Sequence, residues 1–354
     1  MKARGWICLT AVLLLLAAIA FRGYGRWGRR NGALRDDALT LMPSDASAVL
    51  FADLEGLRQA PFFSALYAWA PKPQADAEYA QFQQATGFSY ERDLDRICIA
   101  VLKHGPVASY FAVADGRFDR RKIAAYALQS GARSSQGTRE IFSVPVNGSA
   151  RKISFAFLRS DRIALTNAND LSKILMENRR DSDASDWQTR FERLAGSPIF
   201  AVIRHEAGTG SALAEQAPGG FRSPQLSAAL EQLQWITVAG KPDADRLRIV
   251  AEGEGTSDTA ARQMSDLLNG VLVLAQAGLN DAKTKNQMDP AIRSAYLELV
   301  RGAEVSQIDR GETKAVRLVF DLTPKFLEAA RLPLPVATPP PASNTAPHKG
   351  KRRN

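Results

Sequence analysis

The chain has 354 residues, 45% of them hydrophobic, with two cysteines, a net charge of +9 and a pI near 9.7. That length and apolar share supply a sizeable core and exclude both a disulfide-stapled miniprotein and a chain too polar to fold. The basic excess sits in two tails: residues 1–35 carry seven basic residues and residues 331–354 carry five, neither with an acid, leaving 34 basic against 37 acidic residues between them. The folded part thus lacks the electrostatic footprint of a nucleic-acid-binding domain, and no nucleic-acid partner is expected.

The first element is Trp6 to Phe21, sixteen residues without a charge, preceded by Lys2 and Arg4 and followed by Arg22, Arg26, Arg29 and Arg30. As a helix it spans about 24 Å, short of a hydrocarbon core of about 30 Å unless the flanking arginines snorkel. Residues 1–22 are read as a signal-anchor or transmembrane helix that contacts membrane lipid. A cleaved signal peptide is the rival, because Ala18-Ile19-Ala20 has the small-x-small form of a cleavage site. The arginine count across the run favours a cytoplasmic domain, whereas the layout of one N-terminal apolar segment ahead of a large soluble region favours export. Export to the periplasmic side of the cytoplasmic membrane is the expectation adopted.

Residues 23–43 read as a basic juxtamembrane linker ending at Pro43. The spacing then predicts a strand at 46–54, a helix at 55–69 and a helix at 75–86 stopped by Gly87. A hairpin of 97–102 and 108–114 turns at His104-Gly105-Pro106, and a helix at 119–129 stops at Gly131. Strands at 141–146, 152–158 and 162–166 and a helix at 169–178 complete a first unit. A second follows in the same order: a strand at 198–204, a helix at 224–233, a hairpin of 235–240 and 246–252, and a long helix at 256–279. A helix at 290–299, strands at 304–309 and 315–322 and a helix near 324–330 close it. Beyond Pro333 the tail is rich in proline and ends in Lys349-Gly350-Lys351-Arg352-Arg353, so residues 332–354 read as disordered.

Tyr110 to Gly116 matches Leu247 to Gly253 at an offset of 137, and Phe118-Asp119 matches Ser257-Asp258 at 139. The fold class expected is α+β: an N-terminal transmembrane helix, then two similar α+β repeats, 44–184 and 185–331, with mainly antiparallel sheets and helices packed on one face.

No catalytic, cofactor-binding or metal-ligating residue is assigned. Asp181 to Glu192 has oxygen side chains at calcium-loop positions 1, 3, 5, 9 and 12, but Asp186 stands where glycine must turn. Ser185 with Gln188 reads instead as a capping box. Glu91-Arg92-Asp93-Leu94-Asp95-Arg96 could offer paired carboxylates, yet its arginines would keep them ionised, so a solvated turn is expected. His104, His205 and His348 show no ligand or triad spacing. Residues 206–223 form a glycine-rich loop without a phosphate-loop signature, the place to look for a binding lip. Asn147-Gly148-Ser149 is explained by its turn. Cys98, among alternating apolar neighbours, reads as a buried thiol, and no disulfide with Cys8 is expected.

Leu41-Met42-Pro43-Ser44-Asp45-Ala46 leading into Ser47 to Leu54, then Thr86-Gly87-Phe88 and Asp93-Leu94-Asp95, resembles uncharacterised bacterial single-pass membrane-anchored proteins with a domain of unknown function. The resemblance covers roughly residues 40–325 and implies an extracytoplasmic α+β domain; it supplies no active site. The function expected is a non-catalytic binding or structural envelope component, with an envelope protein or anionic polymer as partner. The alternative is a membrane-bound hydrolase or substrate-binding subunit with a site between the repeats.

Overall fold

The computed structural model describes residues 37–69, 77–102, 109–136, 139–145, 152–168, 170–177, 184–205, 224–310 and 314–330. In chain order they form β1 (Ala48–Asp53), α1 (Leu54–Leu57), α2 (Pro61–Trp69), α3 (Ala77–Thr86), α4 (Tyr90–Asp93), β2 (Leu94–Leu102), β3 (Ser109–Gly116), α5 (Arg120–Ser130), β4 (Ala132–Gln136), β5 (Arg139–Pro145), β6 (Lys152–Arg159), β7 (Arg162–Thr166) and α6 (Leu171–Glu177). Then come α7 (Ala184–Arg193), β8 (Ile199–Arg204), α8 (Pro224–Leu230), β9 (Leu233–Asp243), β10 (Arg246–Gly255), α9 (Asp258–Asn280), α10 (Ala282–Gln287), α11 (Pro290–Arg301), β11 (Glu304–Asp309), β12 (Lys314–Leu322) and α12 (Pro324–Ala330).

Local chemistry sets most of these boundaries. Asp119 caps α5 by accepting from the Lys122 amide, Ser257 caps α9 through the Ala260 amide, and Asp289 caps α11 just ahead of Pro290. Pro61 supplies no amide hydrogen to continue a helix from α1, so the single helix expected over 55–69 is two. At the end of β3 a Cβ on Gly116 would lie 2.4 Å from the Asp93 carbonyl, so only glycine lets the two backbones approach there.

The strands make one twelve-stranded sheet in the order β11-β12-β10-β9-β8-β1-β2-β3-β7-β6-β5-β4, and every pairing is antiparallel. The expectation of an antiparallel α+β fold holds, but a continuous sheet replaces separate ones. Reading outward from the β1–β8 contact, one side runs β1-β2-β3-β7-β6 and the other β8-β9-β10-β12-β11, each with its helix after the third strand. β5 and β4 extend the first side. β4 was missed from sequence because Ala-Arg-Ser-Ser-Gln has no apolar alternation; its pairing with β5 alone makes it a strand.

The helices do not lie on one face. On what we term the Trp187 face, Trp187 and Phe191 of α7 and Leu171 and Leu175 of α6 join Val49, Phe51, Cys98, Phe111 and Phe200 in one core. On the opposite, Phe62 face, Phe62, Phe63, Leu57 and Leu327 from α2, α1 and α12 pack on Ala52, Ala114 and Leu247. α5 packs on Phe142, Phe157 and Ile163, and α9 places Met264 on Val316 and Leu233. Each phenylalanine fully buried this way contributes about 1.5–3 kcal/mol.

The packed body also begins before the linker boundary at residue 43. Ala38, Leu39 and Met42 lie in the Trp187-face core, and Asp37 reaches Arg162. Among the described residues no helix is long and apolar enough to cross a membrane. The Trp6–Phe21 run, the turn at 103–108, Asn147, the 206–223 loop and the tail from residue 331 lie outside the described residues.

Candidate functional site

Two places in the fold concentrate features that the core does not need. The first is an ionic corner where β1 hands over to α1 and α4 to β2. Asp53 accepts from the Gly56 amide at 3.0 Å and sets the entry of α1. Arg96, 4% exposed, lies 3.9 Å from Asp53 and 3.7 Å from Glu55. Arg58 donates to the carbonyls of Arg92 (2.8 Å) and Leu94 and lies 3.6 Å from Asp95. Arg117 meets Asp93 at 3.6 Å and Asp95 at 3.9 Å.

This corner contains the Glu91–Arg96 cluster, and the solvated turn expected there is instead partly buried, with Asp93 8% exposed. Its carboxyl groups divide. Burial pushes Asp53, Glu55 and Asp95 above the ordinary range, Glu55 further by repulsion from Asp95. Glu91 and Asp93 fall below it, because hydrogen bonds outweigh the effect of burial: from the Ser89 and Tyr79 hydroxyls on Glu91, and from Arg92 and the Ser89 amide on Asp93. Tyr79 is itself pushed up to about 12, chiefly by burial. A split in carboxyl acidity is what acid–base chemistry uses, but Asp53, Glu55, Asp93 and Asp95 each face an arginine, and Arg58, Arg92 and Arg117 are tied to backbone carbonyls as well. The corner acts as a staple between α1, α4, β2 and the start of the segment leading to α5.

The second place is α9. Over its first half Ala260, Ala261, Met264 and Ser265 are buried and the outward positions are Arg262, Gln263 and Asp266. Over its second half the outward positions become Asn269, Gly270, Val273, Leu274, Ala277 and Gly278, without a charge. Val273 is 65% and Leu274 72% exposed. The long helix was legible in the sequence, but apolar residues from Leu267 to Leu274 surround its axis and conceal which of them face outward.

Other candidates resolve more simply. Residues 184–193 are helical, which excludes a calcium loop over 181–192. Ser185 lies inside α7 instead of capping it, its carbonyl accepting from the Thr189 hydroxyl at 3.0 Å. His205 sits 3.1 Å from Glu231. Among the described residues no three His, Cys, Asp or Glu side chains are grouped to hold a metal ion. Cys98 is a free thiol, 1% exposed, and burial pushes its acidity far down. In a Cys8→Ser variant, maleimide should therefore leave native Cys98 unmodified at pH 8 and label it fully in urea; rapid labelling of native protein would contradict its burial.

Past the cover of α7, β10 and β12 carry ion pairs on the Trp187 face. Burial alone would raise the Glu252 carboxyl, but hydrogen bonds from Arg310 at 2.6 Å and Arg317 at 2.8 Å hold it below its ordinary 4.5. A carboxyl lowered on folding adds stability above its unfolded pKa, and that stability is lost as pH falls below about 4.5. Glu252→Gln should lower the urea midpoint at pH 7 and flatten its decline between pH 5 and pH 3; an unchanged acid limb would show that the pair contributes nothing.

No family model matches the chain, and no curated protein matches it by sequence. Among solved structures it is similar to crystal form III of TP0453, with 10% identity, a TM-score of 0.44 and coverage of 83% of this chain and 98% of that one. Crystal form IV gives 11% identity and a TM-score of 0.43, covering 84% and 98% of the two chains. At that distance the likeness carries no argument about fold or function.

Proposed function

We propose that this chain is a membrane-anchored, extracytoplasmic envelope protein of two α+β repeats that acts by binding and not by catalysis. The anchor is the basic-flanked run from Trp6 to Phe21. The repeat reading draws on the matching strand order on either side of the β1–β8 contact and on the caps Asp119 and Ser257, which begin equivalent helices after equivalent hairpins. Its halves would be residues 44–184 and 185–331.

The observation that carries the non-catalytic reading is the seam. A hydrolase or substrate-binding subunit with its site between the halves would bring titratable groups to that contact. Ala48 to Ala52 and Ile199 to Ile203 contain none, and Phe51 stacks on Phe200 with ring centroids 5.1 Å apart.

Labelling of intact cells with a membrane-impermeant maleimide tests the topology, using Ser343→Cys in a Cys98→Ala background and blotting for size. Labelled protein of full length is the expected result. Labelling that needs cell lysis would put the domain on the cytoplasmic side, and labelled protein shorter by the N-terminal run would make that run a cleaved signal.

A further inference from the structure

A helix packed along one side of a soluble domain keeps charge on its outward face, and the first half of α9 does so with Arg262 and Asp266. The second half does not. From Leu267 to Met288 the only charged residues are Asp281, Lys283 and Lys285, the last two in α10. Val273 and Leu274 form the crest of this stretch, and a Cβ on Gly270 or Gly278 beside them would meet nothing within 4 Å. On its inner side the same half helix is held by α11, where the Gln276 amide donates to the Val300 carbonyl at 3.5 Å. The crest therefore projects from a supported element.

Two large side chains with small neighbours present roughly a few hundred Å2, well under the roughly 800 Å2 that each partner contributes to a stable protein interface. A lipid surface demands no matching shape. It takes an apolar helix flank a few ångströms deep, with lysines beside it meeting anionic head groups. The chain's own geometry supplies the lipid: fifteen residues separate Phe21 from Asp37 and span at most about 50 Å, more than the radius of a body this size. An anchor in the bilayer thus leaves α9 free to turn toward the same membrane.

We propose that the second half of α9, with Val273 and Leu274 at its crest and the exposed Lys285 in α10, the helix that follows, docks on the anionic lipid surface of the bilayer that holds the N-terminal run. The docking rests on the anchored reading above and gives the folded domain a fixed tilt on the membrane, with its Trp187 face turned away.

The test uses full-length protein carrying Cys8→Ser and either Leu274→Cys or Ser306→Cys, labelled with an environment-sensitive fluorophore and reconstituted into phosphatidylcholine vesicles with or without phosphatidylglycerol. Ser306 pairs with Arg317 and so lies on the sheet face opposite α9. The expected result is a blue-shifted probe at position 274, quenched by shallow nitroxide lipids most strongly with phosphatidylglycerol, and an unquenched probe at 306. With the label moved to Ala277→Cys, Val273→Ser with Leu274→Ser should lower the quenched fraction about tenfold, while flotation with the vesicles, which reports the anchor, is unchanged. Protein that floats with an unquenched, water-exposed probe at 274 overturns the docking and leaves the anchor standing. A blue-shifted probe that lipid quenchers do not reach places protein against the crest, either the Trp6–Phe21 run or a second copy, and also overturns it. Failure to float overturns the anchored reading and the docking together.

Discussion

Replacing Asp115 with alanine is expected to destabilise the protein by about 3–5 kcal/mol, read as a lower urea midpoint with an unchanged slope. Asp115 on β3 stands directly across from Arg162 on β7, and Arg162 is 2% exposed. Both Asp115 oxygens accept from that guanidinium, Oδ2 at 2.8 Å, and Asp37 takes a third N–H at 2.6 Å. Removing the aspartate strands a buried cation, whose desolvation is no longer offset. Asp37 is half-exposed and cannot compensate fully. Asp37→Ala should therefore cost about 1 kcal/mol or less by itself. The double change Asp115→Leu with Arg162→Met should recover most of the loss, since an apolar pair of similar volume avoids the burial of charge altogether. A single-variant loss below 1 kcal/mol would mean that water reaches Arg162 and that the pair is peripheral.

Neither partner of that pair was legible as one in the sequence. Asp115 precedes a glycine and read as the end of a hairpin, and Arg162 opens a strand after a tight turn. Their meeting depends on β7 returning beside β3 across 47 residues, which no local pattern encodes. The same holds for β1, whose apolar run was plain but whose neighbour β8 lies some 150 residues away. Alternation did identify the hairpins, and Asp119, Ser257 and Pro290 marked three helix starts within two residues, because those signals are local. β2 begins three residues earlier than its apolar stretch because Asp95 and Arg96 are held in a strand by charges contributed from Arg58, just after α1, and Asp53 of β1. α10, Ala-Lys-Thr-Lys-Asn-Gln, gave no apolar period and was passed over. The open flank of α9 was concealed for the opposite reason, an excess of apolar residues on every side.

Phe200→Ala is expected to cost about 3–5 kcal/mol and, more tellingly, to weaken both halves at once. Phe200 is 1% exposed, stacked on Phe51 of β1 and 6.1 Å from the ring of Phe191 on α7. It thus packs across the seam on residues from both sides, although its own strand belongs to the second. If the halves were independent domains joined by contact, the cavity would loosen the second and leave the first near its original midpoint. A continuous sheet makes a different demand. One row of paired residues runs from Phe142 through Phe155, Leu165, Ile99, Leu50 and Val238 to Val305, so that β1 and β8 are interior strands of a single ladder. Opening that ladder at its centre exposes two new edges, each with a row of unpaired backbone groups. Two probes separate these cases. Thiol reactivity of Cys98 on β2, in a Cys8→Ser background, reports the first half, and fluorescence of Trp235 on β9, with Trp6, Trp27, Trp69 and Trp187 all replaced by phenylalanine, reports the second. In the parent and in the Phe200 variant their urea midpoints should coincide and move down together. Midpoints that part in the variant, with Cys98 protected after the Trp235 signal is lost, would make the two halves separate folding units despite the shared sheet.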